Sequence, residues 1–158
     1  GEVRYGGKMW SLPWWVWILG AGALVLFRRW ATKRRVALEE KRARDAAAAE
    51  SQRLQKNPKE FTKDELLQYN GTNPYKPLLL ALKGRVIDVT SGCDFYGPGG
   101  PYGVFAGKDA SKAFAMMSLK EEDAHNDLTG VDEDHLKVLD DWYQKLTAKY
   151  PTVGMIRQ

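Results

Sequence analysis

Between Asp94 and Gly107 the chain reads DFYGPGGPYGVFAG, with five glycines and two prolines interleaved with Phe95, Tyr96, Tyr102 and Phe105. Glycine and proline serve turns because one frees the backbone and the other fixes it. A surface turn has no use for four aromatic rings, each of which gains most when it is covered. The segment must therefore be a contorted backbone held against an apolar interior or a ligand. A strand pattern, RVIDVT, precedes it and a helical pattern, KDASKAFAMM, follows. Strand, glycine-rich loop and helix in that order suggest phosphate binding, but the spacing matches neither a P-loop nor a dinucleotide fingerprint. The prolines also remove amide donors that would cradle an anion. Phosphate binding is excluded.

The surrounding sequence predicts a small α+β domain. FTKDELLQYNG places Thr62 and Glu65 at capping-box spacing, then a short helix stopped at Gly71. The apolar runs Leu78–Leu82 and Arg85–Thr90 flank Lys83-Gly84, which is a hairpin signal. Ala110, Ala113, Phe114 and Met117 share one helical face, and Leu136, Leu139, Tyr143 and Leu146 follow the helical period after a capping Asp132. The domain is placed at residues 59–156.

Ahead of it, Trp10 to Trp30 spans 21 residues, uncharged from Leu12 to Phe27. As a helix such a run reaches roughly 30 Å, and the tryptophans at both ends suit lipid headgroups. The reading is a tail over 1–9, a single transmembrane helix over 10–30 and a basic helical stalk over 31–58. Arg28, Arg29, Lys33, Arg34 and Arg35 after the span outweigh Arg4 and Lys8 before it. The positive-inside rule then puts the domain on the cytosolic side, or on the matrix side of a mitochondrial inner membrane. The stalk, rich in helix formers and poor in apolar residues, reads as solvated, its basic start resting on anionic headgroups, and Asn57-Pro58 ends it. The missing Met before Gly1 fits a removed initiator or a cleaved leader.

Charge narrows the partners. Residues 28–56 carry ten Lys/Arg against four acids, whereas residues 57–158 carry twelve against fifteen. The basic character belongs to the stalk and not to the folded part, which argues against nucleic acid as a partner. Cys93 is the only cysteine, so no internal disulfide forms and a reducing compartment fits.

The segments FTKDELLQYNG, LLLALKGRVIDVTSG, DFYGPGGPYGVFAGKDASKAFA, LDDWYQKLTAKY and VG occur in this order. Together they closely resemble the membrane-associated progesterone receptor family, whose domain is a variant of the cytochrome b5 haem- and steroid-binding fold. The resemblance covers roughly residues 60–156, and FYGPGGPYGVFAGKDAS is its most specific part. It implies a cytochrome b5-like haem/steroid-binding domain on the face of a membrane, by family habit that of the endoplasmic reticulum.

Ordinary cytochrome b5 has a histidine before Pro-Gly-Gly as iron ligand; here Gly97 stands there, and His125 and His135 match no such motif. The resemblance instead implies a tyrosine ligand, at Tyr102, for haem b in its ferric state. Tyr96 matches a second phenol that hydrogen-bonds in the site, and Lys149 with Tyr150 matches a lysine-tyrosine pair that completes it. The chemistry of the residue types agrees, since a phenol with an ordinary pKa of ~10 binds metal well only as phenolate and a phenolate favours ferric iron. Phe95 and Phe105 would be apolar walls. Read without the resemblance, Tyr96 and Tyr102 also suit plain core aromatics, Lys149 and Tyr150 also suit a helix end, and Cys93 could be a thiolate ligand.

The leading functional expectation is a non-enzymatic, membrane-anchored haem- and possible steroid- or sterol-binding module that docks to or regulates haem monooxygenases. The alternative is an accessory subunit of another membrane protein complex, respiratory or otherwise organellar, with haem optional. An electron carrier is disfavoured by the missing histidines. A homodimer is kept among the partner expectations, although the small residues Gly20–Ala23 in the expected span form no clean dimer motif and read as ordinary filler. No nucleophile stands beside a base at recognisable spacing, so no catalytic set is assigned.

Overall fold

The computed structural model describes residues 13–157. The chain divides into two compact units between Glu39 and Glu40. One helix, α1 (Trp14–Lys56), starts in the first unit and ends in the second. Its stop agrees with Asn57-Pro58.

In the first unit the helix is apolar on every side up to Phe27, and Trp14, Trp15, Trp17, Ile18, Leu19, Leu24, Val25, Leu26, Phe27 and Trp30 are all exposed. Its uncharged part begins at Trp14 and so reaches only roughly 20 Å, short of the ~30 Å of a hydrocarbon core. Among the described residues no helix is long and apolar enough to cross a membrane. The expected span over 10–30 is therefore not seen. Its start at Trp10–Leu12, the tail over 1–9 and the flanking Arg4 and Lys8 lie outside the described residues.

The second unit is built on a four-stranded mixed sheet. Its strands are β1 (Lys59–Phe61), β2 (Leu79–Leu82), β3 (Arg85–Asp88) and β4 (Thr152–Ile156), in the order β1-β4-β3-β2. Only the β1–β4 pair is parallel. The β2–β3 hairpin turns at Lys83 and Gly84, whose φ values of 52° and 75° are those of a type I′ turn. Such a turn matches the twist of the strands it joins, as the Lys-Gly signal predicts.

Strand alternation sorts the core into two halves. Leu80, Leu82, Ile87 and Val89 face one side, where they meet Tyr96, Phe105, Phe114, Leu139, Leu146 and Tyr150. Leu79, Ala81 and Val86 face the other, with Leu54, Phe61, Leu66, Tyr69 and Val153. Because both faces are covered, β2 reads as a continuous apolar run and not as an alternation.

Helices α2 (Lys63–Leu67), α3 (Cys93–Tyr96), α4 (Ser111–Ala115) and α5 (Glu133–Lys149) complete the unit. The capping box forms as expected, with Thr62 Oγ1 accepting from Glu65 N–H and Glu65 accepting from Thr62 N–H. Asp132 caps α5 by accepting from His135 N–H at 2.9 Å. Helix α4 is shorter than the predicted run through Met117.

The stalk reading needs one correction. Ala43, Ala47, Ser51 and Leu54 are buried, one helical turn apart along α1. Small side chains form this stripe, so it carries no strong hydropathy signal, yet the end of the helix is part of the folded unit and not a solvated spacer. Tyr69 Oη fastens it by donating to Glu50 at 2.7 Å.

Candidate functional site

The aromatic segment is a chain of single turns and not an open loop. Gly97 N–H donates to Cys93 O, Gly100 N–H to Gly97 O and Phe105 N–H to Tyr102 O. The decisive bond is Tyr102 N–H to Phe95 O at 2.9 Å, which folds the backbone over itself. At Gly100 a β-carbon would stand 2.5 Å from Phe95 O, so only glycine permits that closure. The far end of the segment is tied to β2, with Gly107 N–H on Leu79 O at 2.7 Å and Ala81 N–H on Lys108 O at 2.8 Å. These bonds turn two phenols toward the same side of the sheet.

There they join a continuous ring packing. Tyr96 and Tyr102 have centroids 5.7 Å apart, Tyr96 meets Tyr150 edge-on at 6.1 Å, and Tyr102 stacks on Phe105 at 6.1 Å. Phe105 continues to Phe114 at 5.0 Å, and Phe114 to Trp142 of α5 at 5.6 Å. The packing walls a cleft of about 240 Å3, completed by Ala113, Met117, Ser118 and Leu119. Tyr96 and Tyr150 are buried and Tyr102 is half-buried. At Gly92 a β-carbon would lie 2.6 Å from Tyr150 Oη and 3.3 Å from Tyr96 Cδ2, so the absence of a side chain lets the two rings close up.

The phenols differ electrostatically. Burial, with smaller contributions from Tyr150 and Tyr102 beside it, pushes Tyr96 up to about 12. Removing water penalises the phenolate, so Tyr96 stays a neutral hydroxyl. No hydrogen bond joins the Tyr96 and Tyr102 hydroxyls among the described residues; their contact is ring on ring.

Of the four expected site residues, the structure brings Tyr96, Tyr102 and Tyr150 together. Lys149 is exposed and does not line the cleft; its ammonium lies 5.1 Å from the Tyr150 ring centroid. Phe105 is a wall of the cleft as expected, but Phe95 is 52% exposed and is not. Cys93 is also exposed, outside the cleft. His125 lines a separate pocket beside α2, and His135 pairs with Asp132 at 2.8 Å. Sequence reasoning missed Trp142, Ser118 and Leu119 as wall residues. Trp142 carried a usable signal, being a tryptophan within a strongly periodic helix.

The model of the Cytochrome b5-like Heme/Steroid binding domain matches residues 62–156, the whole stretch from the α2 cap to the end of β4. The chain belongs to this cytochrome b5-like family. Among its relatives, "Probable steroid-binding protein 3" of Arabidopsis thaliana is 54% identical over 97 residues, covering 61% of this chain and 97% of the relative. "Membrane steroid-binding protein 2" of Oryza sativa subsp. japonica is 50% identical over 63% of this chain, which spans only 37% of that protein. Human "Membrane-associated progesterone receptor component 2" is 35% identical over 85% of this chain and 60% of its own length. A solved structure of a hypothetical protein from Arabidopsis thaliana, described as having a cytochrome b5 like fold, superposes with a TM-score of 0.58 at 52% identity. It covers 63% of this chain and 91% of that one. The resemblance to the membrane-associated progesterone receptor family, read from five segments in order over residues 60–156, is thus borne out.

The cleft suits what the family is named for. Its lining is mostly apolar and aromatic, as a flat hydrophobic group requires, and Tyr96, Tyr102 and Ser118 are its residues with a hydroxyl. Among the described residues no three His, Cys, Asp or Glu side chains gather as metal ligands. The side chains with an oxygen or sulfur atom among the lining residues are those of Tyr96, Tyr102, Ser118 and Met117. At about 240 Å3 the cleft is smaller than the ~300–1,000 Å3 of enclosing ligand sites, so a porphyrin would be covered in part only.

Proposed function

We propose that this chain is a membrane-tethered binding module whose cleft holds ferric haem b through the phenolate oxygen of Tyr102. One observation carries the reading: among the phenols of the ring packing, Tyr102 alone is both half-buried and on the wall of the cleft. Tyr96 is held neutral by burial, which suits a hydrogen-bond donor better than an anionic ligand. Tyr150 lies behind Tyr96, and Lys149 beside Tyr150 places a cation at the edge of the group. Ferric haem supplies a Lewis-acidic iron whose charge favours the phenolate. The chain's own residues supply the oxygen donor through Tyr102 and apolar cover through Phe105, Phe114 and Trp142.

The reading is of a regulator or docking piece for haem monooxygenases or another membrane protein complex. The apolar lining also fits a steroid or sterol skeleton, which would compete with haem for the same walls. The exposed apolar end of α1 favours lipid as its cover, since so continuous a patch is costly in water. Arg28 to Arg35 then face anionic headgroups and hold the domain on the positive-inside side, that of the cytosol at the endoplasmic reticulum or of the matrix in mitochondria.

The test is titration of the purified full chain with hemin in detergent. The wild type should develop a Soret band and a ferric high-spin spectrum, and Tyr102→Phe should lose that spectrum. An unchanged spectrum and unchanged uptake in the variant overturn the ligand assignment.

A further inference from the structure

Two residues other than glycine adopt a left-handed backbone among the described residues, Lys83 at φ 52° and Met117 at φ 49°. Such a conformation is unfavourable for a side chain with a β-carbon and is commonly reserved for glycine. At Lys83 the reason for a side chain is visible. Its ammonium reaches Asp140 of α5 at 2.5 Å and lies 5.4 Å from the Tyr143 ring centroid, fastening the hairpin to that helix.

For Met117 no such tie is seen among the described residues. It follows α4 at the position where a helix ends in a Schellman turn: Met117 N–H points to Phe114 O at 3.4 Å and Ser118 N–H donates to Ala113 O at 2.9 Å. Glycine is the usual occupant there because it reaches the left-handed region without strain. Met117 is instead 72% exposed, and it lines the tyrosine cleft beside Leu119. Ser118 Oγ donates to Asp123 at 2.6 Å, which pins the turn so that the thioether is presented at the lip of the cleft. A strained, exposed methionine at a place suited to glycine implies a use for its side chain that the protein alone does not contain.

We infer that Met117 is a ligand-gripping residue: its thioether side chain packs against the flat hydrophobic group bound in the cleft, on the reading that this group is haem. A methionine suits the task because it is unbranched, adapts its shape and makes favourable contacts with aromatic faces. Apolar area on Met117 that water touches in the free protein becomes covered on binding, which strengthens binding without stabilising the empty fold.

Met117→Gly separates these two quantities. In the full chain in detergent the variant should melt at the same or a higher temperature without hemin, because the turn loses its strain. Its hemin dissociation constant should rise about tenfold, the loss expected when apolar contact of this size is removed. Met117→Leu restores apolar bulk and should bind hemin as the wild type does. Unchanged affinity in Met117→Gly overturns the inference, and so does a lower melting temperature, which would make the side chain part of the fold. Met117→Leu as weak as Met117→Gly overturns it too, because sulfur and not cover would then be the contact. If the wild type itself gives no Soret band, the haem reading falls and this inference with it; an intact wild-type band isolates a failure to Met117.

Discussion

Tyr69 and Tyr102 belong to core clusters on opposite faces of the same sheet, and they are held in contrary ways. Tyr69 is buried, edge-on to Phe61 at 5.8 Å, with the Lys76 ammonium 4.9 Å from its ring centroid and its hydroxyl spent on Glu50. Burial first, and then that carboxylate, push its pKa well above the usual phenol value. It cannot serve as an anionic ligand and instead locks the end of α1 to the domain. Tyr102 is half-buried, touches its neighbours through its ring, and stands on the wall of an apolar cleft. The difference teaches that burial and partner, more than residue type, decide whether a phenol is a structural clamp or a binding group.

The most damaging way to break the contrast is Gly92→Ala. The added methyl would lie 2.6 Å from Tyr150 Oη, and Tyr150 is buried, so the ring packing behind the cleft must open. Overpacking of this kind costs about 1–3 kcal/mol, measurable by urea unfolding. Hemin affinity should fall with it, whereas Tyr69 and its bond to Glu50 remain. Wild-type stability and affinity in this variant would mean that the ring packing does not support the site.

A smaller effect is expected on the other face. Tyr69→Phe keeps the ring and removes only the hydroxyl that donates to Glu50. The loss should be about 1–2 kcal/mol, the range for a hydrogen bond to a partly exposed charged group. Hemin affinity should stay within about twofold of wild type, since Tyr69 touches no wall of the cleft. A matching drop in affinity would show the two faces to be coupled and the contrast between them to be false.

What the sequence made legible follows the same division. Local signals were plain: the Thr62–Glu65 box, the Lys83-Gly84 hairpin and the Asp132 cap each depend on residues within a few positions of one another. The aromatic segment identified itself by composition, and three of the four expected site residues, Tyr96, Tyr102 and Tyr150, do meet. Phe95 was misjudged because Phe95 and Tyr96 are adjacent on one helical turn, so a turn that buries Tyr96 sends Phe95 outward. Trp142 belongs to the cleft only through the packing of α4 on α5, which no local spacing encodes. The Ala43–Leu54 stripe stayed hidden because alanine and serine carry little hydropathy, although small side chains are what close helix packing needs. Lys149 stands near Tyr150, but its exposure leaves its contribution to be decided by the bound group and not by the empty fold.

The last effect is absent at neutral pH and sharpens the contrast only in alkali, where the phenols titrate. Tyr69 and Tyr96 both have folded pKa values raised above the ordinary ~10 of an unfolded chain, Tyr96 to about 12. Below pH ~10 both states hold the proton and these groups add no pH dependence. Above it the unfolded chain ionises first, so stability falls as pH rises toward the folded values. Urea midpoints from pH 8 upward should therefore decline beyond pH ~10. In Tyr96→Phe and in Tyr69→Phe the decline should each time be shallower than in the wild type, because one raised phenol is gone. Equal slopes in wild type and both variants would mean that neither phenol is held protonated by the fold, and the clamp would then be no different in kind from the cleft.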